Sequence, residues 1–440
     1  MEPNEMQKKD AAAPKKPNKR TMQSEADELF ALQMRVAENA RGSDRTVIAL
    51  FLSMIFVLGA LILILPHKTF SEQENRVLQE PPRLQSSFSG SLIERIQAGK
   101  FLDRYFSGAF SEDVNSYYAD QFPGRDFFVG LKGAVEIALF KGENNDVVLG
   151  RDGWLISRVD HPNLENVLRN YEVSAAFAER LAASKIPVTF AVAGRVADIA
   201  ESMLPVLYPT ADLYAPWDAL LSAAAGNMGA LQTVDLRAPL KEYADAGKDV
   251  MYRTDHHWTT YGAYLAYTEL LTAWGMEEEI LPPDAFEIEI VSDAFYGTTW
   301  RNAGMKWIRP DVMELYRYEG DEDFTMKIHD SNTVMSGFYD RSYLEKTDKY
   351  STFISGNRAY ITIEKNGGEE RERLLMVKDS FGHSLAPFLA YHFDLEIIDP
   401  RYYKKSPAAL AMETGCSRVL LINNMGSLTD AVVLEMLGWE

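Results

Sequence analysis

Apolar residues are distributed along this chain in several distinct periods. Val47 to Leu65, VIALFLSMIFVLGALILIL, carries no charge over 19 residues, which as a helix covers roughly 30 Å of hydrocarbon. This run predicts a transmembrane helix. Between Glu94 and Tyr118 apolar residues recur at helical spacing, and after the turn signal FPGRD a second helical stretch runs from Phe127 to Phe140. IPVTFAVAG (Ile186 to Gly194) is continuously apolar, as expected of a parallel strand covered on both faces. A helix near Pro216 to Ala225, a strand near Leu231 to Leu236 and a helix near Pro239 to Ala246 continue a βαβα rhythm. That rhythm predicts an α/β fold built on a doubly wound parallel sheet. Between Pro282 and Glu372 shorter alternating runs, separated by Gly, Asp and Asn, predict an antiparallel insertion. The βα alternation returns after Ser380, with strands at Asp394 to Ile398 and Arg418 to Asn423.

These periods divide the chain into a mostly disordered cytoplasmic tail (1–46) with a short helix near Glu25 to Ala40, a transmembrane helix (47–65), a helical lead-in (66–145) and an α/β domain (146–440) with an insertion at 282–372. The Lys/Arg cluster between Lys8 and Arg20 favours an internal N-terminus, so the long C-terminal part is expected outside the membrane. The formal net charge of -19 excludes the basic surface that a nucleic-acid partner requires. The one cysteine, Cys416, rules out an internal disulfide and a Cys-rich zinc site, and reads as a small buried residue.

Two stretches carry candidate chemistry. In TDHHWTTYG (Thr254 to Gly262), Asp255 and His257 are two residues apart, so in extended backbone they point to one side while His256 points away. An acid orienting a general base needs this arrangement, provided a nucleophile lies within reach. In VKDSFGHS (Val377 to Ser384), Ser380 lies between the short apolar run Leu374 to Val377 and a helix from Ser384 to Tyr391. A residue there sits at the carboxyl end of a strand, where open α/β sheets place ligands, and N–H groups at the helix start are expected to stabilise an oxyanion. Blander readings compete: an N-cap serine, a satisfied buried His257, or a metal held by Asp255, His256 and His257. Asp379 is expected to brace the turn, and His383 to lie on the helix surface.

DHHWT followed by TYGAY, with KDSF more than a hundred residues later, resembles the DHHW family of bacterial membrane-anchored proteins. That family is itself similar to the SGNH-like domain of alginate O-acetyltransferases. FSEQENR (Phe70 to Arg76), ADQFPGRD (Ala119 to Asp126) and GRDGWL (Gly150 to Leu155) also look like family landmarks. The resemblance implies a catalytic triad of Ser380, His257 and Asp255 on a circularly permuted SGNH-hydrolase-like sheet, since the serine follows the Asp/His pair. It implies oxyanion-binding roles for Gly297 and Asn302, with Thr298 beside them, and calls for no cofactor. The departure is Gly194-Arg195-Val196, where the family has a Pro-x-Lys-like segment. The implied function is O-acetylation, or de-acetylation, of a cell-wall or secreted polysaccharide in the cell envelope, with a membrane-bound O-acyltransferase partner supplying acetyl groups. The alternative is a catalytically silent domain that binds glycan or scaffolds an envelope complex.

Overall fold

A computed structural model describes residues 19–71, 76–82, 106–227, 229–367 and 370–439. Two compact units separate, one containing the long N-terminal helix and the other containing residues 126–440. In the first, a single helix runs Lys19–Ile64, so the expected tail is helical from Lys19 onward. Its composition explains this, because Ala, Glu, Leu, Gln, Met and Arg are good helix formers and no Pro or Gly intervenes before Gly42. Residues 1–18 lie outside the described residues, as do residues 94–105 of the first predicted lead-in helix and 72–75 of the FSEQENR landmark. Within the long helix, Asp44–Ile62 has a mean hydropathy of 2.3 and exposes most of its large apolar side chains. This unit also contains a shorter helix, Ala109–Asp120.

The second unit is built on an eight-stranded sheet. In chain order its strands are β1 (Val188–Ala193), β2 (Leu231–Asp235), β3 (Phe324–Ile328), β4 (Thr333–Ser336), β5 (Tyr360–Lys365), β6 (Arg373–Lys378), β7 (Asp394–Ile398) and β8 (Arg418–Asn424). Their spatial order is β4-β3-β5-β7-β6-β8-β1-β2. The strands β7, β6, β8, β1 and β2 are mutually parallel, and β5, β3 and β4 extend that sheet antiparallel on one edge.

The apolar runs make central strands because successive side chains supply opposite faces. In β6, Leu374 and Met376 enter one core while Leu375 and Val377 enter the other. Helices Thr260–Ala273 and Gly382–Ala390 cover the first face, and Leu164–Ala182 and Ala211–Gly226 cover the second. The fold is therefore mixed α/β with a large parallel-rich sheet wound on both sides. The predicted insertion supplies β3, β4 and β5, and also a separate hairpin of Glu287–Phe295 with Asp311–Arg317.

Candidate active site

The Asp255–His257 loop is closed by its own backbone. Tyr252 N–H donates to His257 C=O at 3.1 Å, and Met251 pairs with Trp258 in an antiparallel bridge. Thr259 then caps the helix Thr260–Ala273 by accepting from Gly262 N–H at 3.1 Å. The insertion holds the loop from outside: the Asp311 carboxylate accepts from Thr254 N–H at 2.8 Å and from its hydroxyl at 2.6 Å.

Ser380 follows β6 in the turn before the helix Gly382–Ala390. Asp379 braces that turn as expected. One carboxylate oxygen accepts from Phe381 N–H (2.9 Å), and the other accepts from Asn424 N–H (2.7 Å) and the Ser427 hydroxyl (2.9 Å) at the end of β8. The turn is thereby tied to the neighbouring strand at the carboxyl edge of the sheet.

The two stretches meet. His257 Nδ1 lies 2.5 Å from Asp255 Oδ1, and His257 Nε2 lies 2.7 Å from Ser380 Oγ. A carboxylate only accepts, so the proton sits on Nδ1, and Nε2 is left to accept from the serine hydroxyl. Burial would raise the Asp255 pKa, but His256, His257 and hydrogen bonds from His257 and Thr298 outweigh it and hold the carboxyl well below its ordinary range. Asp255 is thus ionised throughout the neutral range and fixes the imidazole tautomer.

The imidazole is also fixed face-on. Tyr350 stacks on it at 3.9 Å between centroids and 10° between planes, while the His256 ring lies 3.9 Å away at 38°. The Tyr350 hydroxyl is 3.0 Å from Ser384 Oγ, which also accepts from Trp258 Nε1–H at 2.9 Å. Ser384 therefore links the residue after the histidine, the insertion, and the helix after the serine. Burial lifts the Tyr350 phenol well above its usual pKa, so it remains neutral. Nothing in the spacing of Tyr350, 93 positions beyond His257, pointed to this contact.

Several expectations are corrected. Gly297 does not act as an oxyanion donor: its N–H donates to Thr254 Oγ1 at 3.2 Å, and a Cβ there would lie 2.1 Å from Asp255 Cβ. Its role is to let backbone approach the aspartate, and Thr298 N–H donates to Asp255 Oδ2 at 2.6 Å. Asn302 is exposed, and its carbonyl accepts from Asn145 at 3.0 Å, away from the serine. The N–H groups of Phe381, Gly382 and His383 are all taken up within the turn. Among the described residues, Ser380 N–H is the one in Asp379–His383 that donates to nothing. His383 is 2 % exposed and not a surface residue. The helix Gly382–Ala390 is buried all round, which its apolar composition allowed one to read.

Asp255, His256 and His257 bring ligand atoms within 4.8 Å of one another. Both Asp255 oxygens, however, already accept from His257 and Thr298. A cation there would have to displace those bonds.

The DHHW protein family model matches residues 238–398. Among curated proteins, the probable alginate O-acetylase AlgJ of Pseudomonas fluorescens is 29% identical over 171 residues, covering 37% of this chain and 42% of that protein. Its counterpart in Pseudomonas syringae pv. tomato is 25% identical over 264 residues, 57% of each chain. The chain thus spans about half the length of the curated relatives it matches. Among solved structures, a DHHW family protein from Eubacterium siraeum superposes with a TM-score of 0.56 at 22% identity, covering 68% of this chain and 96% of that one. PatB1 of Bacillus cereus does so with a TM-score of 0.55 at 17% identity, covering 67% and 99%. The resemblance carried by the two motifs is therefore to the DHHW proteins, whose family model spans both the Asp255–His257 loop and Ser380.

Proposed function

We propose that this chain is a membrane-anchored O-acetyltransferase acting on polysaccharide outside the cytoplasm, with Ser380 as nucleophile, His257 as general base and Asp255 as the group that orients it. The observation that carries this is the unbroken relay from Asp255 Oδ1 through the imidazole to Ser380 Oγ, at 2.5 and 2.7 Å. It meets the geometric requirement for an activated serine. The match to proteins named alginate O-acetylases supports the acyl group and a polysaccharide as acceptor, without fixing which polysaccharide.

In the first half-reaction Ser380 Oγ bonds the acyl carbonyl carbon as its proton passes to His257 Nε2. The carbon–oxygen bond to the donor's leaving group then breaks, and that group leaves with the proton. In the second half-reaction a sugar hydroxyl gives its proton to His257 and its oxygen takes the acetyl group. Ser380 is released and regains the proton. Water in place of the sugar gives an esterase. Ser380 N–H is the donor for the oxyanion. A membrane-bound O-acyltransferase partner is the proposed source of the acetyl group.

Strand order supports an SGNH-like sheet that is circularly permuted. Counted from β6, the parallel strands β6, β7, β8, β1 and β2 stand in the order 2-1-3-4-5, the doubly wound order with its crevice beside the first strand. On that count the serine follows the first strand and the Asp/His loop comes after the last. The exposed apolar helix Asp44–Ile62 supports the anchor.

Hydrolysis of an acetyl-ester reporter tests the triad. Ser380→Ala and His257→Ala are expected to abolish turnover while the proteins remain folded; turnover unchanged in either variant rules the triad out.

A further inference from the structure

A cavity of about 590 Å³ has walls that include Arg158, Asp160, Arg195, His256, Ser427 and Asp430. Ser380 and His257 are not among its wall residues, and two contacts tie it to their immediate neighbours. The His256 ring, which lines it, lies 3.9 Å from the His257 ring. Asn424 and Ser427, which also line it, donate to the carboxylate of Asp379, the residue before the nucleophile.

The charges of this cavity are the informative feature. Two arginines face it, and each is already committed to carboxylates of the chain. Arg195 donates to both oxygens of Asp198, at 2.8 and 2.7 Å, and to Leu213 C=O at 3.0 Å. Arg158 has Glu143 at 3.2 Å, Asp146 at 3.1 Å and Asp160 at 3.5 Å. The His256 side chain is 42% exposed at this wall, with Nδ1 3.6 Å from Asp255 Oδ1. The carboxylates around the two arginines outnumber them, and Asp430 adds another at the wall. The chain as a whole carries -19. Arg195 has its Nε and Nη2 edge closed by Asp198 and Leu213, and both Nη groups of Arg158 already face carboxylates, so a second carboxylate finds single uncommitted donors in place of a free fork, and a like charge brought into this field is repelled.

We infer that this cavity seats the acceptor, and that it selects an uncharged, hydroxyl-rich sugar chain over an acidic one such as a polyuronate. The inference rests on the transferase reading for the word acceptor, but the selectivity is a binding property that does not need the chemistry. The Ser157 hydroxyl, the Asn163 amide nitrogen and the Asn166 side-chain oxygen line the cavity with no hydrogen bond among the described residues, and they supply donors and acceptors that match sugar hydroxyls without requiring charge.

The test measures binding to the full-length chain in detergent, carrying Ser380→Ala so that no transfer occurs. The probes are hexasaccharides of β-linked glucose, N-acetylglucosamine, mannose and galactose, with hexamannuronate as the acidic comparison. At least one neutral chain is expected to bind roughly tenfold or more tightly than hexamannuronate, with a Kd that does not change with salt. Asp160→Asn and Asp430→Asn, each alone, are expected to narrow the gap by improving hexamannuronate binding, which also locates the site. Hexamannuronate binding as tightly as every neutral probe, or no neutral probe binding, overturns the inference. Failure of the transferase reading shows elsewhere: neutral sugar binds as described, yet Ser380→Ala leaves reporter-ester turnover at the wild-type level.

Discussion

Two polar groups lie two residues apart at the end of β6, Lys378 in the strand and Ser380 in the turn after it, and are treated in opposite ways. Ser380 joins a relay in which every ring nitrogen and carboxylate oxygen has a partner. Lys378, fully buried beneath the helix Gly382–Ala390, has no hydrogen bond to its ammonium group and only Asp399 nearby, at 3.8 Å. His383, also buried, has both ring nitrogens without partners. Burial pushes the Lys378 pKa down to about 8 despite Asp399, and pushes His383 well below its usual value. Hydrogen bonds therefore fix charge where the proposed chemistry needs it, while desolvation disfavours charge immediately behind it. The Asp255 carboxylate is held ionised with its hydrogen bonds met, while the Lys378 ammonium is buried with none.

The largest expected effect comes from breaking the partnered side. Asp255→Asn keeps the shape but no longer demands Nδ1–H, so the imidazole loses its tautomer and reporter-ester kcat falls about 10³- to 10⁴-fold; a kcat within a few-fold of wild type would remove Asp255 from the relay. Gly297→Ala is next. Its Cβ would press within 2.2 Å of the Asp255 carboxylate, so the pair must shift, and kcat is expected to drop on the order of 10²-fold. Full activity in a folded Gly297→Ala protein would show that the loop relaxes without cost.

Tyr350 refines the same side. Tyr350→Leu removes the stacked face and the link to Ser384, and is expected to lower kcat about tenfold with KM unchanged, because Tyr350 is buried behind the imidazole. Tyr350→Phe keeps the ring and restores most of that loss. Equal losses in Phe and Leu, or a change confined to KM, would assign the residue a different role.

The smallest effect on turnover, and a gain in stability, is expected at Lys378. Its pKa is about 8 in the folded chain against 10.5 for the free side chain. Between these values the unfolded state holds more protons, so stability rises with pH across that window. Below about pH 8 both states are charged and the full cost of burial stands. Lys378→Met is accordingly expected to stabilise the domain at pH 7 by about 2–3 kcal/mol and to flatten the rise between pH 8 and 10.5. Denaturant midpoints measured across that range decide it: a destabilised Met variant would mean that the ion pair with Asp399 outweighs desolvation.

What the sequence made legible follows from which interactions are local. The run Ile186–Gly194 announced a central strand because burial on both faces leaves no polar alternation, and β1 occupies Val188–Ala193. The Asp255–His257 pair was legible because extended backbone puts alternate side chains together. In the tail the short helix expected near Glu25 to Ala40 lies within the longer one, because the helix propensity of residues 19–46 continues the apolar helix without a break. Gly297 and Asn302 were assigned by analogy of residue type, and the contacts that define them, with Thr254, Asp255 and Asn145, come from distant parts of the chain. Tyr350 carries no local signature, since a stacked ring depends on which elements the sheet brings together, whereas the burial of His383 follows from the apolar helix around it.

The most direct test of the account is to find the covalent intermediate. The full-length chain is incubated with an acetyl-ester reporter, quenched and digested, and the peptide containing Ser380 is examined by mass spectrometry. The account predicts an acetyl group on Ser380 that is absent in His257→Ala and disappears when a sugar acceptor is added. Turnover with the acetyl group on another residue, or turnover that persists in Ser380→Ala, would contradict it.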